Sequence, residues 1–190
     1  MVDRDGSGKL QVGGSIPALD LEPLSGDRPP VPDPDRLVHL QFRRFAGCPV
    51  CNLHLRSVAG RHDEIAAAGV REVVLFHSSP EALRASGAAE LPFAVIPDPD
   101  KRLYRQFGVE ASWRSVADPR AWSAEIRGLV AKLRNPRMSL RGGPLGLPAD
   151  FLIAPDGRVL ASHYGVHADD QWSVDQVLAL ARKQGSTNRP

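Results

Sequence analysis

The sequence predicts an α/β sandwich, and three observations carry that expectation. Short apolar runs with strand character alternate with apolar stripes at helical spacing, the pattern of strands covered by helices. Proline and glycine clusters fall between these runs and separate them. A chain of 190 residues, 42% hydrophobic and 24% charged, suits one globular domain with a core large enough to hold without disulfides or metals.

The elements follow in order. The first nine residues are polar and glycine-rich and carry no periodicity, so residues 1–13 read as a mobile N-terminal segment. Residues 16–21 (Ile-Pro-Ala-Leu-Asp-Leu) alternate weakly, like an edge strand, because Pro17 excludes a central one. Pro29, Pro30, Pro32 and Pro34 forbid a helix and predict an extended connector. From Leu37 the run Leu-Val-His-Leu-Gln-Phe-Arg-Arg-Phe reads as a buried central strand that stops at Ala46-Gly47. A helix is expected from Cys48, since Pro49 suits a first helical position, with Val58, His62 and Ile65 at helical spacing and Gly69 as its end.

Residues 71–77 predict a second strand, 80–87 a short helix and 93–96 a third strand. Pro97-Asp98-Pro99-Asp100 then turns into a helix around Leu103, Tyr104 and Phe107. Residues 111–146 depart from the rhythm as an inserted helix and loop. The helix starts at Asp118-Pro119, carries Trp122, Ile126, Leu129, Val130 and Leu133 on one stripe, and ends at Asn135-Pro136. Residues 151–153 and 158–163 predict a hairpin around Ala154-Pro155-Asp156-Gly157. Ser173-Val174-Asp175-Gln176 is a capping box that opens the last helix, whose Val174, Val177, Leu178 and Ala181 face inward. The domain is expected over 14–184, with a tail at 185–190.

Composition narrows the function. Twenty-four basic and twenty-two acidic side chains leave a formal charge of +2, too balanced to predict a nucleic-acid or anionic-membrane partner. No apolar run approaches the roughly 18 residues of a membrane span. Met1-Val2-Asp3-Arg4-Asp5-Gly6 lacks a basic-then-apolar leader. A mature exported chain would look the same, and the cytoplasm is the plainer expectation.

The sharpest chemical signal is the cysteine pair Cys48 and Cys51, placed where a buried strand meets a helix N-terminus. A thiol attacks only as thiolate, and a free cysteine with a pKa of about 8.5 is mostly protonated at neutral pH. Unpaired N–H groups at the helix start favour negative charge on Cys48, and Arg43 or Arg44 could approach the sulfur. Cys51, one turn on, can reach back and close a disulfide. Other readings stand beside this one. Both cysteines could be inert core residues. His54 completes a Cys-x-x-Cys-x-x-His zinc spacing, but no second ligand pair follows. A c-type haem would need histidine where Asn52 stands.

Phe45-Ala46-Gly47-Cys48-Pro49-Val50-Cys51 after a hydrophobic strand resembles the active-site turn of thioredoxin-fold proteins. It is similar above all to the peroxiredoxin-like branch of the alkyl hydroperoxide reductase/thiol-specific antioxidant family. Gly14-Ser15-Ile16-Pro17, the Asp98 to Val109 stretch with Leu103-Tyr104 inside it, and the hairpin from Pro148 to Val159 resemble three further family segments. The resemblance implies a thioredoxin-like three-layer sandwich with a mixed sheet of about five strands and the helical insertion before the penultimate one. It implies that Cys48 is the reactive cysteine, Cys51 its resolving partner and Pro148 a cis proline facing them. Three departures qualify it. Gln41 stands where the family has a proline, Phe45 where it has a peroxide-orienting threonine or serine, and Pro148 aligns with the family's arginine, for which Arg44 or Arg141 could substitute.

Weaker candidates remain. His77, followed by Ser78 and Ser79, ends the second strand where parallel sheets gather functional loops, although a structural or solvated histidine is the commoner case. Trp113 and Trp122 read as core packing or an oligomer contact, such as a homodimer's, and His163 and His167 as surface or core residues. The expected function is thiol-dependent reduction of a hydroperoxide or a disulfide, with an external thiol donor such as a thioredoxin-type protein or a small thiol. No metal, flavin or nicotinamide enters the scheme, and no dinucleotide fingerprint is present. A disulfide exchanger without peroxide activity and a non-catalytic interaction module are the alternatives.

Overall fold

The structure is a computed structural model that describes residues 5, 8–109 and 146–187. Five strands form one mixed sheet: β1 (Leu37–Arg43), β2 (Val70–Phe76), β3 (Ala94–Pro97), β4 (Ala149–Ile153) and β5 (Val159–Tyr164). Their spatial order is β3-β2-β1-β4-β5. β1, β2 and β3 run parallel, while β4 is antiparallel to both β1 and β5. Among the described residues the α-helices are α1 (Pro49–Gly60), α2 (His62–Ala67), α3 (Pro80–Ala85), α4 (Arg102–Gln106) and α5 (Val174–Thr187). This is the thioredoxin-like α/β fold that the sequence predicts.

The alternation of β1 divides the core. Val38, Leu40 and Phe42 point to one face, where they meet Val73, Leu75, Phe151, Ile153 and the Leu103, Tyr104 and Phe107 of α4 and its C-terminal end. Phe42 lies at the centre of this layer, 5.0 Å between ring centroids from both Tyr104 and Phe107 and 5.6 Å from Phe151. The other face carries two separate apolar clusters. One joins Val58 and Ile65 to Leu152 and the inner stripe of α5; the second joins Leu55 to Val74, Phe76, Leu83 and Val95.

Local chemistry accounts for the element ends. Ser173 and Gln176 exchange capping bonds, Ser173 N–H to Gln176 Oε1 at 2.7 Å and Gln176 N–H to Ser173 Oγ at 3.3 Å. Asp98 accepts the Arg102 and Leu103 N–H groups at 2.9 and 2.8 Å, which fixes the start of α4. At the β4–β5 turn Gly157 has φ +85°, and a Cβ there would meet the Ile16 carbonyl oxygen at 2.9 Å.

Four expectations need correction. Residues 16–21 form no strand: a single antiparallel bridge pairs Ser15 with Arg158, and Leu19 N–H then turns to the Val31 carbonyl at 2.8 Å. Pro17 cannot donate, so the ladder stops there. The helix from Cys48 to Gly69 is two helices. Arg61, after Gly60, leaves helical geometry at φ −119° and ψ 21° and is held by Glu64 and Asp175, each at 2.7 Å. Among the described residues the one cis peptide is Val31–Pro32, so the bond before Pro148 is trans. Pro148 already belongs to the extended approach to β4, its carbonyl accepting Gly165 N–H at 2.9 Å, and trans is the ordinary preference there. Packing also begins earlier than residue 14, because Leu10 is buried in the core and its N–H reaches the Tyr164 hydroxyl at 2.8 Å. The expected helix at 118–135, with Trp113, Trp122 and Arg141, lies outside the described residues.

The centrality of Phe42 sets an expected outcome. Phe42→Ala should destabilise the fold by about 3–5 kcal/mol, read as a lower urea midpoint with an unchanged slope.

Candidate active site

The cysteine turn is built by the end of β1. Arg43 pairs with Phe76 in the ladder, and one residue on the Arg44 carbonyl accepts His77 N–H at 3.3 Å. Ala46 N–H donates to Ser78 Oγ at 2.9 Å, so the loop after β2 holds the loop after β1. Gly47 then takes φ +77°, a left-handed conformation that favours glycine. Cys48 is the N-cap of α1, Pro49 follows in the first turn, and Asn52 N–H returns to the Cys48 carbonyl at 2.9 Å. Both cysteines are reduced and buried, Cys48 at 1% and Cys51 at 0% exposure, beside Phe45 and Val50.

The two sulfurs differ sharply. Cys51 donates its S–H to Cys48, and this hydrogen bond, against the opposing effect of burial, brings the Cys48 thiol down to about 6. The N–H groups of Cys51 and Val50 and the charge of Arg44 act in the same direction. Cys51 moves well above an ordinary thiol, because it donates that bond, is buried and faces the Cys48 charge. The proton therefore resides on Cys51 and the negative charge on Cys48. Arg44 is the arginine that acts on the nucleophile, and its guanidinium carbon lies 5.5 Å from the Phe45 ring centroid.

Arg43 turns the other way. His39, Gln41 and Arg43 occupy the helix-side face of β1, between the two apolar clusters, and all are 0% exposed. Arg43 Nη2 donates to Asp150 Oδ1 at 2.6 Å, to Gln41 Oε1 at 2.5 Å and to His54 Nε2 at 3.1 Å. His39 bridges Glu72 through Nδ1 (2.8 Å) and Asp150 through Nε2 (3.1 Å), and Gln41 donates to Glu72. Burial opposes charge on His39, but Glu72 and Asp150 outweigh it and raise the imidazole to about 9. Asp150 is likewise held below the usual carboxylate range against burial, by Arg43 and His39. Burial and then Arg43 lower His54 to about 3, so it stays neutral and accepts. The layer thus connects β2, β1 and β4 to α1 one turn beyond Cys51.

Sequence reasoning missed this layer. Its signal was present: the polar residues of β1 alternate with apolar ones at period two in a strand buried on both faces, which requires polar partners from neighbouring strands. Of the residues singled out, Cys48, Cys51 and Arg44 come together. Pro148 is buried just before β4 but lacks the cis geometry expected of it. His54 serves Arg43, and His163 pairs with Asp170 at 2.8 Å.

A thioredoxin-like sheet with a low-pKa cysteine at a helix start and a protonated second cysteine one turn on defines a thiol oxidoreductase. The profile of the AhpC/TSA antioxidant enzyme family matches residues 57–167, more than half the chain, and the protein belongs to that family. The matched stretch begins beyond both cysteines. Among solved structures, peroxidoxin BcpB from Mycobacterium tuberculosis is 16% identical with a TM-score of 0.63, covering 94% of this chain and 98% of its own. Enterococcus faecalis AhpC is 13% identical with a TM-score of 0.67, at 94% and 95% coverage. A putative thiol:disulfide interchange protein DsbE from Chlorobium tepidum is 21% identical with a TM-score of 0.58, at 91% and 99%. At these identities the likeness is one of fold. No curated protein matches the chain in sequence.

Two outcomes are expected. Iodoacetamide should alkylate Cys48 with a midpoint near pH 6, well below the about 8.5 of free cysteine, and Arg44→Met should raise that midpoint; an unmoved midpoint would remove Arg44 from the site. The buried layer should shape stability against pH. His39 is raised from 6.5 to about 9, so its contribution is complete below pH 6.5 and is lost as pH rises through about 9. Unfolding free energy should fall over that window, and His39→Gln should flatten the decline.

Proposed function

We propose that the protein reduces hydroperoxides through Cys48, with Cys51 as the resolving cysteine. The observation that carries this reading is the uneven division of one proton between two buried sulfurs: the outer cysteine is prepared to attack, and the inner one holds the proton needed later. The Cys48 thiolate attacks the terminal oxygen of R–O–OH, the O–O bond breaks, and the electron pair leaves with RO. The hydroperoxide's own proton passes to that oxygen, giving ROH and a Cys48 sulfenate. Cys51 then forms the S–S bond with Cys48 and hydroxide departs. Sulfur is oxidised by two electrons and the peroxide reduced by two. An external thiol donor, a thioredoxin-type protein or a small thiol, returns the disulfide to the dithiol.

Burial supports a small oxidant. At 1% exposure Cys48 admits hydrogen peroxide more readily than the disulfide of a folded protein. Thiol–disulfide exchange is the second reading. It is favoured by Phe45, which offers no hydroxyl to orient a peroxide, whereas the trans bond before Pro148 removes one feature that pointed to it.

The deciding measurement is peroxide loss with fully reduced protein and one equivalent of hydrogen peroxide, followed by a thiol count. Consumption should far outpace that of free cysteine and leave no free thiols. Cys48→Ser should abolish it, and Cys51→Ser should stop the reaction at a dimedone-reactive sulfenate. A rate no better than free cysteine would sink the peroxidase reading, and acceleration of insulin reduction would then favour exchange.

A further inference from the structure

His77 is not used in the chemistry above, yet it adjoins it. Its N–H donates to the Arg44 carbonyl at 3.3 Å, while the N–H of the same Arg44 supports the Cys51 sulfur. One residue's backbone therefore separates the histidine from the cysteine pair. The field of Arg44 reaches both the Cys48 sulfur and the His77 ring.

The ring is 2% exposed, and among the described residues neither Nδ1 nor Nε2 has a hydrogen-bond partner. Its surroundings explain why. Tyr104 meets it edge-on at 5.5 Å, but the Tyr104 hydroxyl already donates to the Arg43 and Leu75 carbonyls. Ser78 Oγ accepts Ala46 N–H. Gly146 adjoins Nε2, where a Cβ would stand 2.7 Å away, so the missing side chain at this position leaves the nitrogen uncrowded and without a partner from it. Burial, with Lys101 and Arg44, lowers the imidazole to about 4, so it is neutral and offers one donor and one acceptor. Folded proteins rarely bury such a group unsatisfied, and a catalytic role is one of the reasons that the exceptions persist.

We propose that His77 is the third member of the site and binds the hydroperoxide, its ring N–H donating a hydrogen bond to the departing oxygen as the O–O bond breaks. The proton stays on the ring, and the balance of the reaction is unchanged. In a water-poor site such a donor stabilises charge that develops in the transition state, without reorganisation. The assignment rests on the hydroperoxide reading and narrows it to a residue.

His77→Phe and His77→Gln test it, with peroxide consumption, iodoacetamide alkylation of Cys48 and thermal unfolding measured on each. His77→Phe should slow peroxide consumption on the order of 100-fold while alkylation keeps its wild-type rate. Its melting temperature should hold or rise, since two unsatisfied nitrogens leave the interior. His77→Gln, which retains an N–H, should recover part of the rate. A wild-type peroxide rate in His77→Phe, an equal loss of alkylation, or no recovery in His77→Gln would overturn the assignment. Failure of both variants to fold would make His77 structural and overturn it as well. Wild-type protein no faster than free cysteine would instead overturn the hydroperoxide reading, and His77's role with it.

Discussion

The Arg43–Asp150 pair is the interaction on which the rest of the structure depends. Two charges withdrawn from water carry a large desolvation penalty, which their attraction offsets only when the remaining donors and acceptors are also met. Here they are met. Asp150 accepts from Arg43, His39 and the Trp172 N–H, and Arg43 donates to Asp150, Gln41 and His54. Because Arg43 lies on β1 and Asp150 on β4, a one-residue slip of β1 against β4 would place charge among Leu40 and Phe42's neighbours. The pair therefore fixes register in the centre of the sheet more sharply than apolar packing does. It also lies between the two apolar clusters on the helix side, which touch β1 directly only at its first residue, Leu37.

The same pair reaches the chemistry through α1. His54 accepts from Arg43 and lies one turn beyond Cys51, so the buried layer helps hold the helix that carries both sulfurs. At the other end of that helix the N-terminal N–H groups converge on Cys48. Charge is thus arranged in two places: Arg43 is neutralised inside the layer, whereas Arg44, the next residue, acts on Cys48. Strand alternation explains the division. Neighbouring residues of an extended chain point in opposite directions, so two consecutive arginines cannot serve one partner.

The sheet, most helices, the β4–β5 turn and the capping box were readable because each depends on local rules of periodicity, proline, glycine and side-chain capping. The cysteine pair was readable because its spacing states its geometry. What stayed hidden needed tertiary information. Leu10 and residues 13–16 are ordered by contact with β5 and its turn, and nothing in their own polarity announces it. Pro148 was assigned a cis bond through resemblance, where backbone context decides the isomer. Arg43 and Arg44 were interchangeable in sequence and are opposites in space. Gln41 counted as a departure from the family pattern, yet it is a working member of the layer, donating to Glu72 and accepting from Arg43.

The uneven thiol pair also bears on turnover. In a cycle through a Cys48–Cys51 disulfide, only the reduced form carries the thiolate that Arg44, the helix N–H groups and the Cys51 S–H stabilise. The disulfide is neutral and gains nothing from them. Whatever lowers the Cys48 pKa therefore favours the dithiol over the disulfide and makes the oxidised form easier to reduce. Nucleophilicity works against this, since it falls as the thiol pKa falls, and the best attacking thiol has a pKa near the ambient pH. A value of about 6 lies close to that compromise: largely thiolate at neutral pH, still basic enough to attack, and a good leaving group when an external thiol reopens the bond. In that proposed cycle, a Cys51 that keeps its proton while Cys48 is the thiolate sets the order of the two steps.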